Sequence, residues 1–169
     1  RFLGLLDELL KDRRPAVRRR AAAAIGAITK KTPSFGGSGD GTVYATDPKL
    51  SGRLHAVIET TRGPVEIVLF ADVAPRTVEA FLALAAAGFY RDRSFHRVVA
   101  DFVIQGGCPR GDGWGGPGRA LLEETSPLPF VRGARGIATA GPDTGGSQFF
   151  IMHSRHPHLD GGYTLFKQI

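Results

Sequence analysis

The sequence predicts a mainly β domain, a barrel of short strands with one prominent helix, set behind a small α-helical hairpin. Three observations lead there. Apolar residues recur at helical spacing over residues 2–29 and again from Pro75 onward. The remainder of the second half consists of short apolar runs bounded by Gly and Pro, the mark of strands and tight turns. Between them, residues 32–52 are rich in Gly, Ser, Thr, Pro and Asp without apolar period and read as a linker. The expected organisation is therefore a helical hairpin over 1–31, a linker over 32–52 and a β domain over 53–169.

Taken in order, Leu3, Leu6 and Leu10 define one helix face, and Val17, Ala21, Ala24, Ile25 and Ile28 define a second, with Pro15 suited to a first helical turn. Two strand-like runs follow, Ala56–Thr60 and Val65–Phe70, joined by Arg62-Gly63-Pro64 as a hairpin turn. Pro75 opens a helix with Val78, Phe81, Leu82 and Ala85 on one face, and Gly88 stands where a helix end favours positive φ. Short strands are expected at Phe95–Val98, Phe102–Gln105, Gly136–Ala140 and Gln148–Met152. Many short strands with one helix point to a barrel.

The net charge of +6 is localised: residues 1–31 hold nine Lys/Arg against three Asp/Glu, whereas residues 32–169 hold thirteen of each. The excess lies on the predicted hairpin, where it reads as a solvated helix face rather than a nucleic-acid site. No run of eighteen apolar residues and no signal-peptide pattern occur, so neither a membrane span nor a leader is read within these residues, and the compartment stays open. Cys108 is the only cysteine, so no internal disulfide forms.

The chemistry concentrates in two stretches. Phe95-His96-Arg97-Val98-Val99 and Asp101-Phe102-Val103-Ile104-Gln105-Gly106-Gly107 alternate as a bent strand pair does, which brings Arg97, Phe102 and Gln105 to one face; a half-buried strand with a surface arginine explains this stretch equally well. The second stretch, Ala138-Thr139-Ala140-Gly141-Pro142 with Gly145-Gly146-Ser147-Gln148-Phe149-Phe150-Ile151, is followed by Leu159-Asp160-Gly161. In this order and spacing FHRVV, FVIQGG, ATAGPDTGGSQFFI and HLDGGYTLF resemble the cyclophilin family over residues 54–169. Likewise Arg14-Pro15-Ala16-Val17-Arg18, with the small residues and Ile25-Gly26 after it, resembles the last repeat of a HEAT-type array; an isolated amphipathic hairpin is the alternative. One such repeat cannot bury its apolar face alone, so further repeats are expected before Arg1.

The cyclophilin resemblance implies an eight-stranded closed barrel capped by helices, with a shallow apolar pocket on its outside, and prolyl cis/trans isomerase activity that assists protein folding without a cofactor. The family continues past Ile169 through a further strand, a helix and the closing strand, so this stretch reads as C-terminally truncated. Carried over residue by residue, Arg97, Gln105 and Phe102 are the expected catalytic group. Val103, Ala138, Thr139, Ala140, Gln148, Phe150, His158, Leu159 and Tyr163 are the expected substrate contacts. Thr139 stands where Asn is usual, His158 where Trp is frequent, Tyr163 where His is frequent and Val103 where Met is common, which predicts altered inhibitor and substrate preference. Proline-containing peptides and protein clients are the implied partners, with further protein contacts through the helical repeats; no metal is implied.

Other signals carry less. His153, His156 and His158 lie close together but span Pro157 without a carboxylate or cysteine at ligand spacing. Ser147, His153 and Asp160 lack a nucleophile elbow. Gly111–Gly118 lacks the Gly-Lys-Ser/Thr ending of a phosphate loop and reads as a flexible connection. Cys108 follows Gly107 in a turn without a partner cysteine. Two functions remain open at this point: an isomerase tethered behind a repeat scaffold, or a binding module that grips a proline segment without turnover. Retention of Arg97 favours the enzyme.

Overall fold

Local hydrogen bonding in the β hairpin shows how the sequence starts the sheet. The computed structural model describes residues 50–168, so the expected helical hairpin and most of the linker lie outside the described residues. Strand β1 (Arg53–Ile58) pairs antiparallel with β2 (Val65–Phe70). Between them Thr60 accepts the Gly63 N–H on its carbonyl at 3.1 Å, its hydroxyl donates to Gly63 O at 2.7 Å, and Gly63 takes φ +106°. Only glycine adopts that conformation without strain. The first strand begins at Arg53 rather than Ala56, because the Arg53 guanidinium lies 3.6 Å above the Phe70 ring and reaches Asp72 at 3.5 Å.

Helix α1 (Pro75–Ala86) follows, with Gly88 at φ +71° closing its end as expected. Its N-terminus has no cap of its own. Glu124 supplies one from a distant loop, accepting the N–H groups of Arg76 at 3.1 Å and Thr77 at 2.8 Å and the Thr77 hydroxyl at 2.7 Å. Thr77, Val78, Ala80 and Phe81 are the buried residues of the helix, whereas Leu82 is half-buried and Ala85 exposed. The buried face is thus shifted toward the N-terminal half, where Phe81 meets Tyr90, Phe149 and Phe166 at ring separations of 5.0, 5.9 and 5.6 Å.

Five further strands complete a seven-stranded antiparallel sheet: β3 (Arg97–Val99), β4 (Val103–Gly106), β5 (Arg135–Ile137), β6 (Phe149–Met152) and β7 (Leu165–Gln168). Their order is β1-β2-β7-β5-β6-β4-β3. The expectation was eight strands and more than one helix; the described residues form seven strands, one α-helix and a single 3₁₀ turn at Pro157–Leu159. The Gly136–Ala140 expectation ends early, at Ile137, where the chain leaves the sheet toward Gly141.

All four residues of β6 are buried. Alternation sends Phe149 and Ile151 into a cluster with Ile67, Leu69, Val78 and Phe166, and Phe150 and Met152 into a second cluster with Val103, Phe130, Leu159 and Leu165. A strand covered on both faces reads as a continuous apolar run, as Phe-Phe-Ile-Met does.

Two cations sit inside this structure. Arg135 and Lys167, register partners across β5 and β7, are both fully buried, and neither head group has a hydrogen-bond acceptor. Lys167 Nζ stands 4.0 Å from the Phe81 ring centre, 4.7 Å from Phe149 and 4.9 Å from Phe166. Burial, with Arg135 adding repulsion, holds the Lys167 amine well below its ordinary pKa, and burial lowers Arg135 to about 10.

Candidate active site

Strand register assembles the site. Arg97 of β3 lies opposite Gln105 of β4, Gln105 opposite Phe150 of β6, and Phe150 opposite Gly136 of β5, so the four residues form one row across four strands. Residues opposite one another share a face, and the row displays a guanidinium, a carboxamide and a phenyl ring side by side. Gly136 ends the row for a packing reason. A Cβ there would stand 2.5 Å from Phe150 Cζ and 2.8 Å from Phe130 Cε1, so the absent side chain is the space in which the Phe150 ring lies.

The hollow above this row has a volume of about 210 Å³ and is lined by Arg97, Phe102, Val103, Gln105, Ala138, Thr139, Phe150, Leu159 and Tyr163. That is small beside the ~300–1,000 Å³ of pockets for drug-sized ligands, and it suits a single ring with its flanking main chain. Phe102 enters from the β3–β4 turn, where Asp101 takes φ +55° and Phe102 N–H returns to Val99 O at 3.1 Å. The 153–156 segment pins that turn: His153 N–H donates to Phe102 O at 2.8 Å, the Ser154 hydroxyl donates to Asp101 O, and His156 Nε2 lies 2.7 Å from the same oxygen. Leu159 arrives on the 3₁₀ turn, and Asp160 behind it accepts Phe130 N–H at 2.8 Å and an Arg155 guanidinium N–H at 3.0 Å. These bonds, the Phe130 amide first, hold the Asp160 carboxyl below its usual pKa.

The amides are oriented by a chain of hydrogen bonds. Gln148 Nε2 donates to Gly113 O at 2.8 Å and Gly115 O at 2.7 Å, which turns its Oε1 toward Gln105. Gln105 Nε2 donates to that oxygen at 3.0 Å, leaving Gln105 Oε1 to accept from Arg97 Nη1 at 3.4 Å. Arg97 is exposed, its guanidinium carbon 5.9 Å from the Phe102 ring centre, and a long contact to Gln105 leaves its other donors free to point at an occupant of the hollow.

Three expected contacts lie off the lining. Gln148 stands one step behind, its side chain taken by the two loop carbonyls and Gln105. Ala140 is exposed and gives its N–H to the Thr144 hydroxyl at 2.8 Å. His158 is exposed and stacks against Phe102 at 5.9 Å, so it acts on the hollow through that ring. Sequence reasoning missed Phe130, which backs Phe150 at 5.5 Å, and His156, whose ring meets Phe102 edge-on at 4.9 Å. The apolar Leu128-Pro129-Phe130 run was the one available signal for the former, and the latter stood in the histidine cluster weighed above only as a metal site.

The discounted clusters have structural accounts. Ser147 Oγ is buried and donates to Gly107 O at 2.7 Å, so it is no nucleophile beside a histidine. Among the described residues no three potential metal-ligating side chains gather. Cys108 is buried; burial raises its thiol pKa, and backbone donors, Gly115 first among them, outweigh this and bring it below the ordinary value.

Comparison with known proteins agrees with this architecture. The family described as "Cyclophilin type peptidyl-prolyl cis-trans isomerase/CLD" matches residues 55–169. The chain is 47% identical over 114 residues to a peptidyl-prolyl cis-trans isomerase of Synechococcus elongatus, covering 68% of this chain and 79% of that protein. It is 50% identical over 107 residues to peptidyl-prolyl cis-trans isomerase B of Bacillus subtilis, covering 62% and 75%. A cyclophilin-type isomerase of Cryptosporidium parvum, solved in the presence of the dipeptide Ala-Pro, superposes with a TM-score of 0.66 at 39% identity, covering 68% of this chain and 77% of that one.

Proposed function

The chain belongs to the cyclophilin-type peptidyl-prolyl cis-trans isomerases, its reaction is rotation about X-Pro bonds, and we propose that Arg97, Gln105, Phe102 and Phe150 perform it in the hollow above the β3–β4–β6–β5 row. Unaided, that rotation faces a barrier of about 20 kcal/mol and takes tens of seconds, because amide resonance must be broken. No covalent bond forms or breaks. The task is to bind the twisted amide more tightly than the planar ones.

The residues suit that task. Phe102, Val103, Phe150 and Leu159 grip the proline ring by apolar contact, while Gln105 and the backbone at Thr139 hold the adjoining main chain. Twisting withdraws the nitrogen lone pair from resonance, so the nitrogen becomes a hydrogen-bond acceptor only near the transition state. A guanidinium N–H of Arg97 aimed there stabilises that state and not the planar ground states, a preorganised electrostatic effect. The observation that carries this reading is the cross-strand row, which sets a cation and a carboxamide beside a ring-sized hollow walled by Phe102, Val103, Phe150 and Leu159. Proline-containing segments of proteins are the substrates this implies. We further propose that residues 1–31 form a HEAT-type hairpin joined by the 32–52 linker to the isomerase domain over 53–169, and that it brings protein clients to that domain. The helical spacing of its apolar residues and its localised positive charge support this.

The test is the cis/trans relaxation of an X-Pro peptide with the wild-type chain and Arg97→Ala. Wild type accelerates it, and the variant loses about 10²–10³-fold in kcat/KM, the range for removing one preorganised donor. Equal rates for the two proteins overturn the assignment of Arg97 and favour the non-catalytic binding module.

A further inference from the structure

Trp114 is the only tryptophan of the chain, and it stands 51% exposed in the middle of a glycine-rich loop. An indole offers a large, rigid apolar surface with little conformational entropy to lose on contact, the property that makes tryptophan a preferred recognition residue. The loop is not slack at this point. Asp112 Oδ1 accepts the Trp114 N–H at 2.9 Å, Cys108 Sγ accepts the Gly115 N–H at 3.3 Å, and Gln148 Nε2 donates to the carbonyls on both sides of Trp114, those of Gly113 and Gly115.

Gln148 also fixes the rim of the hollow. Its Oε1 takes the hydrogen bond from Gln105, and its backbone carbonyl accepts the Ala138 N–H at 2.9 Å. One residue therefore holds both the Gln105 and Ala138 rim and the backbone on either side of Trp114, so the loop carbonyls flanking the tryptophan stand one carboxamide away from Gln105. We propose that Trp114 determines substrate specificity by receiving an apolar, preferably aromatic, side chain that flanks the X-Pro unit. The inference rests on the isomerase reading above and adds its substrate class: chain segments whose proline has an apolar neighbour on the Trp114 side.

The experiment measures kcat/KM for full-length wild type, Trp114→Ala and Trp114→Phe on matched X-Pro peptides carrying Phe or Gly either before X or after Pro. Wild type favours Phe at one of the two flanks by about tenfold, the scale of one aromatic contact. Trp114→Ala erases that preference and leaves Gly-flanked peptides unchanged, and Trp114→Phe retains most of it. As the chain has a single indole, its emission moves to the blue when the preferred peptide saturates wild type, a readout that needs no variant to fold. Equal preference in wild type and Trp114→Ala, or unmoved emission at saturation, overturns the proposal. Failure of wild type to accelerate the Gly-flanked peptides sinks the isomerase reading instead.

Discussion

Placing a methyl group at Gly136 tests whether the floor of the hollow is set by strand register. A Cβ at this position comes within 2.5 Å of Phe150 Cζ and 2.9 Å of Phe150 Cε1, and within 2.8 Å of Phe130 Cε1. Carbon contacts settle near 3.5–4.0 Å, so a ring must move by about 1 Å. Phe130 has no exposed surface and nowhere to retreat, whereas Phe150 borders the hollow. The Phe150 ring therefore moves into the hollow, the space that the proposed mechanism gives to the proline ring. Overpacking of this kind costs about 1–3 kcal/mol, which for a domain of this size lowers Tm by roughly 4–12 °C. A displacement near 1 Å in a reacting geometry costs up to about 10²-fold, so Gly136→Ala loses roughly 10–100-fold in kcat/KM on an X-Pro peptide at a temperature where it is fully folded. Glu124→Ala, which destabilises the start of α1 away from the hollow, is the control for lost stability alone. A folded Gly136→Ala protein with wild-type kcat/KM refutes the reasoning, as does an unchanged Tm.

Two further outcomes follow from the described contacts. Glu124→Ala removes the acceptor of three hydrogen bonds at the first turn of α1, so it lowers stability by about 1–2 kcal/mol in urea unfolding and leaves kcat/KM unaltered. Lys167→Met replaces a buried amine lacking an acceptor with an apolar chain of similar volume, so it raises stability by about 1–4 kcal/mol. The native Lys167 releases its proton below the ordinary lysine range while the unfolded chain keeps it to about pH 10.4. The unfolded state thus binds more protons over that interval, and wild-type stability rises with pH through it. Unfolding curves taken across neutral to alkaline pH show this rise relative to Lys167→Met; parallel curves for the two proteins contradict the buried placement of the amine.

Much of the hollow's lining is legible in the sequence because the motifs that carry the cyclophilin resemblance lie in short apolar strands and glycine turns at fixed spacing; patterning alone leaves Arg97 equally well explained as a surface residue. Nine of the expected residues line the hollow, and the hairpin, the helix and β4 fall close to their expected positions. What escaped did so for definite reasons. Gln148 and Phe150 share a face by alternation, yet Gln148 precedes β6 and its amide is taken by carbonyls of a loop that sequence could place only as a connection. Arg53 lengthens β1 by covering Phe70 and reaching Asp72, contacts invisible to hydropathy. Nothing in the sequence marks Arg135 and Lys167 as buried, since arginine and lysine are almost never fully buried without a partner. Their burial follows from strand register and the aromatic cluster around Phe81, Phe149 and Phe166, and only the tertiary structure supplies it.

The division of labour between sheet and loops follows from the same geometry. A one-residue slip in any strand turns its side chains to the opposite face, and Phe149 and Ile151 are committed to one core cluster while Phe150 and Met152 belong to the other. The packing of β6 therefore locks the register of the row that places Arg97, Gln105 and Phe150 together, and that row is as firmly held as the core itself. The segments that vary the environment of that row, 111–116 carrying Trp114 and 153–160 carrying His156 and His158, are fastened mainly by hydrogen bonds to it through Gln148 and the Asp101 carbonyl. On the proposed mechanism, substitution at Trp114, His156 or His158 alters which chains are gripped without moving Arg97, so selectivity is open to change at positions where catalysis is not.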